Sequence, residues 1–194
     1  MKPVQRNEVL GFADYETVRD RFRTRVIEEK RARRVLVGDK VSAVFENHDT
    51  VLLQIQEMLR TERISREAAI QHEIDTYNQH IPGKDEFFAT VMIEIGDKEE
   101  REEFLAMGRG FERHVALVVD GERIPAKWEK TRELEDRASA VNYLRFSLSP
   151  EGAAHVREKK KDARLEMVID LPIYTAKVTF TPATAASLAD DLSE

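Results

Sequence analysis

Residues 45–82 read FENHDTVLLQIQEMLRTERISREAAIQHEIDTYNQHIP, and their pattern constrains the architecture more than any other part of the chain. Apolar residues recur at helical spacing in two blocks, which predicts two short amphipathic helices. Each apolar stripe contains a carboxylate, Glu62 in the first helix and Glu73 in the second. Because a buried, ionised carboxylate is costly unless it is paired, these acids would need arginine, hydrogen-bond donors or a metal as partners.

Two interpretations of these acids remain open. Helical bundles build metal sites from inward-facing acids, so Glu57, Glu62, Glu73 and His80 could bind iron, manganese or zinc. Di-iron sites of that class use the spacing Glu-x-x-His, and none of these glutamates has a histidine three positions later. We therefore favour a buried ion pair between Glu73 and arginine, with no cofactor, that fixes how the two helices dock.

A basic helix is predicted before this stretch, because apolar residues recur at helical spacing from Asp14 to Arg34. Residues 19–34 contain eight arginine and lysine residues against three acids. Guanidinium groups bind acidic groups through paired hydrogen bonds, although a charged helix face is more often simply solvated. We expect Arg21, Arg23 and Arg25 to contact an acidic protein partner or a second copy of the chain.

Strand patterns dominate the rest of the chain. Residues 34–45 alternate about Gly38-Asp39 and residues 114–126 about Asp120-Gly121, which predicts two hairpins. Further strands are predicted at residues 87–95, 140–148, 163–171 and 174–182, and helices are predicted after the capping residues Asp97 and Ser149. Residues 126–138 are ambiguous between helix and loop.

These elements predict a fold of the α+β class, because strands and helices do not alternate regularly. We expect a largely antiparallel sheet with the helical hairpin and the basic N-terminal helix packed on it. No linker composition divides the chain, so residues 1–194 are predicted to form a single domain. Its helix-rich half spans residues 14–82, its strand-rich half spans residues 87–181, and residues 182–194 are expected to be a mobile acidic tail.

Composition excludes several functional classes. The chain has no cysteine, which excludes disulfides, thiolate metal sites and cysteine nucleophiles and fits a reducing compartment. It has neither a signal-peptide pattern nor a long apolar run, so we expect a cytoplasmic protein that does not enter the membrane. The net charge of -6 argues against nucleic-acid binding.

Catalytic sequence motifs are also missing. The chain contains no glycine-rich phosphate loop, no GxSxG and no HExxH, so we name no catalytic residue and favour a non-enzymatic protein. The single tryptophan, Trp128, could stack a ligand, but a lone tryptophan is more often a packing anchor.

A resemblance to a known family rests on a pattern of glutamate, arginine, amide and aromatic residues: Phe45-Glu46, Gln54, Glu57-Met58, Arg60, Glu62-Arg63, Glu73, Tyr77-Asn78 and Ile81-Pro82. The pattern resembles the core of a bacterial family catalogued as domain of unknown function 3501. Members are often encoded beside rubrerythrin-like and iron-sulfur oxidoreductase-like proteins. The resemblance therefore implies an accessory role in a redox or peroxide-handling system, with such a protein as partner. The alternative is a metal-binding protein or metal-dependent enzyme that uses the four residues above.

Overall fold

In the computed structural model, which describes residues 1–129 and 136–193, the chain forms six α-helices and two four-stranded antiparallel sheets, so the predicted α+β class is confirmed. The helices are α1 (Phe12–Arg33), α2 (His48–Thr61), α3 (Glu67–Asn78), α4 (Lys98–Met107), α5 (Pro150–Lys159) and α6 (Pro182–Asp191). The strands are β1 (Arg34–Val37), β2 (Val41–Phe45), β3 (Glu86–Ile93), β4 (Val115–Val119), β5 (Glu122–Pro125), β6 (Val141–Ser147), β7 (Leu165–Leu171) and β8 (Tyr174–Thr179).

The strands form two sheets rather than the one expected. Sheet A has the order β1-β2-β3-β6, and sheet B has the order β5-β4-β7-β8. Both predicted hairpins are present, β1-β2 in sheet A and β4-β5 in sheet B. Each turn uses a left-handed glycine, Gly38 with φ 76° and Gly121 with φ 93°. A Cβ atom on Gly38 would also collide with the hydroxyl of Tyr174, which donates a hydrogen bond to Val37 O over 2.6 Å.

One continuous cluster of buried apolar side chains joins the two sheets and α4, α5 and α6. Sheet A contributes Phe45, Phe87 and Phe146 to it, and sheet B contributes Leu117 and Met167. A second cluster lies on the other side of sheet A, where α2 and α3 pack against each other and against the N-terminal segment. It contains Val4, Val9, Val51, Ile55, Leu59, Ile70, Ile74 and Ile81.

Helix α6 corrects the prediction of a mobile tail from residue 182. Thr181 caps the helix by accepting a hydrogen bond from the backbone nitrogen of Thr184, and three small or apolar residues of α6 are buried in the core between the sheets. Arg33, at the end of α1 and only 1% exposed, forms an ion pair with Asp191 of α6. The small side chains at residues 183–189 that suggested a tail instead allow close packing.

Helix caps account for the other agreements and differences. The side chains of Asp97 and Ser149 cap α4 and α5 as predicted. Helix α1 begins at Phe12 after Gly11 rather than at Asp14, and α3 begins at Glu67 after Arg66. Of the ambiguous stretch 126–138, residues 130–135 lie outside the described residues. Within the described part of the chain, no helix combines the length and apolar character needed to cross a membrane.

Candidate functional site

Glu57 lies in a polar contact between α1 and α2 rather than in a metal site. It accepts hydrogen bonds from the Tyr15 hydroxyl over 2.7 Å and from two nitrogens of Arg19 over 2.8 Å each. The Arg19 hydrogen bond, and after it the one from Tyr15, lowers the pKa of Glu57 to about 2 against the opposing effect of burial. Burial, reinforced by Glu57, raises the pKa of Tyr15. The contact therefore fastens the long, largely exposed α1 to α2.

Neither Glu62 nor Glu73 forms a buried ion pair with the described residues. The buried row of α2 runs through Val51, Ile55 and Leu59, and the helix ends at Thr61. Glu62 therefore lies just beyond the helix and is exposed. Glu73 is half-buried and makes no hydrogen bond or ion pair with the described residues. The predicted buried pair between Glu73 and arginine is therefore wrong. Ile70 and Ile74 occupy the buried face of α3, which leaves Glu73 at its margin.

His80 lies apart from these acids, in a cluster of aromatic rings. Its side chain stacks on Tyr143 at 4.4 Å and on Phe88 at 5.0 Å between ring centroids, and Tyr77 meets it edge-on at 5.7 Å. The residue is 8% exposed. Among the described residues, no three histidine, aspartate or glutamate side chains are placed to hold a metal ion. The structure thus does not bring the four predicted metal ligands together.

The three arginines predicted as an interaction surface are exposed on α1. Arg25 forms an ion pair with Asp49 over 2.5 Å and lies 5.3 Å from the ring of Phe22. Arg21 and Arg23 make no ion pair within the described residues. Other cations of this segment are paired with the chain's own acids, namely Arg19 with Glu57, Arg31 with Glu28, Arg33 with Asp191 and Arg34 with Glu94. The positive excess seen in the sequence is therefore largely neutralised.

A groove between α1 and α2 lies beside these arginines. It encloses about 460 Å³ and is lined by Val18, Arg21, Phe22, Leu52 and Gln56, among others. Its lining combines apolar side chains of both helices with the cationic residues Arg21 and Arg25. The basic helix thus presents a mixed apolar and cationic surface.

A cavity of about 300 Å³ lies at the β6 edge of sheet A, and we call it the edge cavity. Its described lining comes from five separate segments: the end of α3, β3, the turn before β4, the residues after β5, and β6 with the residues just before it. Its aromatic wall consists of His80, Phe88, Trp128 and Tyr143. Its polar groups include Glu112, Lys127, Glu129, Ser139, Asn142 and Arg145.

Backbone pairing and one arginine assemble this cavity. Lys127 and Arg145 exchange two backbone hydrogen bonds of 2.8 Å, which places the segment containing Trp128 beside the β6 edge. The Arg145 guanidinium donates to the carbonyl oxygens of Gln79 and Ile81, pairs with Glu86 and lies 4.9 Å from the Phe88 ring. These contacts hold the end of α3, and with it His80, against β6.

Glu112 is one of several edge-cavity residues that the sequence pattern does not single out. It lies in the short 3-10 turn Phe111–His114 before β4 and is only 5% exposed. It makes no hydrogen bond or ion pair with any described residue. No sequence signal could have singled it out, because it is one of many glutamates and its surroundings come from distant segments. Trp128, considered for stacking from sequence alone, does line the cavity.

A smaller cavity of about 190 Å³ continues along the outer face of sheet A. It shares His80 and Tyr143 with the edge cavity and extends to Lys30 and Glu46. His80 and Tyr143, which stack on each other, therefore form a wall that the two cavities share. Flat rings, a few fixed polar groups and one buried carboxylate suit the binding of a small molecule.

Comparisons with known proteins agree with this architecture. Residues 3–192 match the family described as "Protein of unknown function (DUF3501)". A crystal structure described as a novel protein of unknown function from Burkholderia pseudomallei K96243 is 33% identical to this chain, with a TM-score of 0.91. The match covers 98% of this chain and 100% of that one. No curated protein matches. The resemblance seen in residues 45–82 is thus confirmed, and the chain belongs to the DUF3501 family.

Proposed function

We propose that this protein binds a small planar organic molecule in the edge cavity. The observation that carries the proposal is the wall of four aromatic side chains around a space of about 300 Å³. That volume lies at the lower end of the range for small-molecule sites, roughly 300 to 1,000 Å³. Such sites combine an apolar wall with a few placed polar groups, as Asn142 and Glu112 are placed here.

The test uses three planar probes of nearly equal shape: benzamidinium, benzamide and benzoate. Trp128 is the only tryptophan of the chain and lines the cavity, so its fluorescence reports binding. We expect at least one probe to bind in the millimolar range or more tightly, as is usual for fragments of this size. Val141→Phe should weaken that binding because Val141 lines the cavity and is 41% exposed, which leaves room for a larger side chain.

The matched control is Leu36→Phe. Leu36 is 61% exposed on the same side of sheet A but on β1, at the opposite edge from the cavity. It should leave binding unchanged. The proposal is overturned if none of the three probes binds at millimolar concentration, or if both phenylalanine variants affect binding equally. Calorimetry of the parent protein provides a check that does not depend on fluorescence.

A second candidate function is a non-enzymatic accessory role, in which α1 docks on the acidic surface of a redox or peroxide-handling partner. Two observations favour it: Arg21 and Arg23 are exposed and make no ion pair within the described residues, and the apolar groove between α1 and α2 lies beside them. The family resemblance supplies the partner class, a rubrerythrin-like or iron-sulfur oxidoreductase-like protein. Because the contact would be electrostatic at its rim, it should weaken as salt is raised.

A further inference from the structure

Glu112 is a buried acid at the edge cavity whose partner is missing from the described residues. It is 5% exposed and lines the cavity, yet it makes neither a hydrogen bond nor an ion pair there. Buried carboxylates are costly unless they are paired. We infer that Glu112 pairs with the ligand, and that the ligand is a planar organic cation such as an amidinium or a protonated heterocyclic amine. This inference rests on the proposed function of the edge cavity.

Among the described residues, the two cations that line the cavity are engaged elsewhere. Arg145 binds the carbonyl oxygens of Gln79 and Ile81 and pairs with Glu86. Lys127 donates from Nζ to the hydroxyl of Ser147 over 3.1 Å. Neither side chain forms an ion pair with Glu112. The negative charge of Glu112 is therefore available to a molecule that enters the cavity.

The aromatic wall also favours a positively charged ligand. The face of an aromatic ring attracts cations, and Arg145 already lies 4.9 Å from the centre of the Phe88 ring. Trp128 and Tyr143 line the space that the ligand would occupy. A flat cation can therefore stack on a ring and still bind a carboxylate through its N–H groups. An anion of the same shape would be repelled by Glu112.

The experiment ranks benzamidinium, benzamide and benzoate, which differ in charge but hardly in shape. In the parent protein we expect benzamidinium to bind most tightly and benzoate most weakly. Glu112→Gln should weaken benzamidinium by at least about tenfold, the effect of losing one charge-assisted contact, and should change benzamide by less than about threefold. Glu62→Gln, which alters an exposed glutamate outside the cavity, is the control and should leave the ranking unchanged.

Stability of the ligand-free protein separates recognition from a structural role. Removing a buried charge that has no partner among the described residues should leave the Tm of Glu112→Gln equal to or above that of the parent. A carboxylate with a structural role would lower the Tm when it is removed. If the parent protein binds benzamide or benzoate as tightly as it binds benzamidinium, the inference of a cationic ligand is overturned while the proposed function stands. Loss of benzamidinium binding in Glu62→Gln to the same extent as in Glu112→Gln would also overturn it. If none of the probes binds, the proposed function itself fails.

Discussion

The inner face of sheet A is closed and apolar, whereas its outer face is mixed and contains cavities. On the inner face Ala89, Val91, Leu144 and Phe146 are each 0% exposed. On the outer face of the same strands, half-buried residues such as Thr90, Met92, Tyr143 and Arg145 line the edge cavity or its smaller neighbour. Close packing on one side stabilises the sheet, which leaves the other side free to hold a site without endangering the fold.

The strongest test of this difference compares two substitutions on β6. Phe146→Ala removes a ring from the closed core and should lower the free energy of unfolding by about 3 to 5 kcal/mol. Val141→Ala, on the outer face of the same strand and 41% exposed, should change it by less than about 0.5 kcal/mol. Urea unfolding measures both values. Similar losses in the two variants would mean that the faces do not differ in the way described.

A second test concerns Arg33, which ties the outer helix α1 to the core helix α6. Asp191→Ala leaves the buried guanidinium without its carboxylate, although Arg33 still donates to Phe45 O over 2.8 Å. We expect a loss of about 3 kcal/mol, at the lower end of the range for broken buried pairs. The control breaks the exposed pair of Arg31 and Glu28 on α1 by Arg31→Ala, which should cost less than about 0.5 kcal/mol. Comparable costs would show that the Arg33 contact contributes no more than a surface pair.

Local sequence patterns predict most of the inner face and miss its last helix. The turn at Asp120-Gly121 and the caps at Asp97 and Ser149 depend on residues adjacent in sequence, so they could be predicted. Helix α6 depends on distant partners, because its small side chains become buried only once sheet B and Arg33 are in place. The number of sheets likewise depends on how distant hairpins pair, which alternation within a strand does not specify.

The outer face is harder to predict because its residues come together only in the folded chain. Helical spacing predicts that Glu62 and Glu73 lie on the apolar faces of their helices. In the structure α2 ends before Glu62, and the buried face of α3 is centred on Ile70 and Ile74, so that Glu73 lies at its margin. His80 was singled out as a metal ligand, yet it stacks on Phe88 and Tyr143 from two strands. The burial of Glu112 is likewise set by segments distant in sequence and not by its own neighbours in the chain.

The free energy of unfolding should also depend on pH through Glu57, which links α1 to α2. Its folded pKa of about 2 lies below the ordinary value of 4.5, so its contribution to stability is fully present above pH 4.5 and is lost as the pH falls towards 2. We expect a contribution on the order of 2 kcal/mol, because the side chain is 26% exposed and the ion pair is partly screened.

Glu57→Gln isolates this effect. The stability difference between parent and variant, measured by urea unfolding at several pH values, should be largest near neutrality and shrink between pH 4.5 and 2. Glu62→Gln, which changes an exposed glutamate just beyond the same helix, is the control and should differ from the parent by less than about 0.5 kcal/mol. A difference for Glu57→Gln that stays constant through this acid range would contradict the assignment.

The smallest effect on folding is expected at the outermost surface, where Arg21 and Arg23 lie. Exchanging both for glutamate should change the free energy of unfolding by less than about 0.5 kcal/mol, because neither residue is buried or paired within the described chain. Arg25 is left intact, since breaking its ion pair with Asp49 would confuse an effect on stability with an effect on binding.

If α1 docks on an acidic redox partner, co-purification from a native extract should retain a rubrerythrin-like or iron-sulfur oxidoreductase-like protein at low salt. High salt or the double substitution should release it. Equal retention by parent and variant, or retention that salt does not affect, would exclude these arginines from the contact.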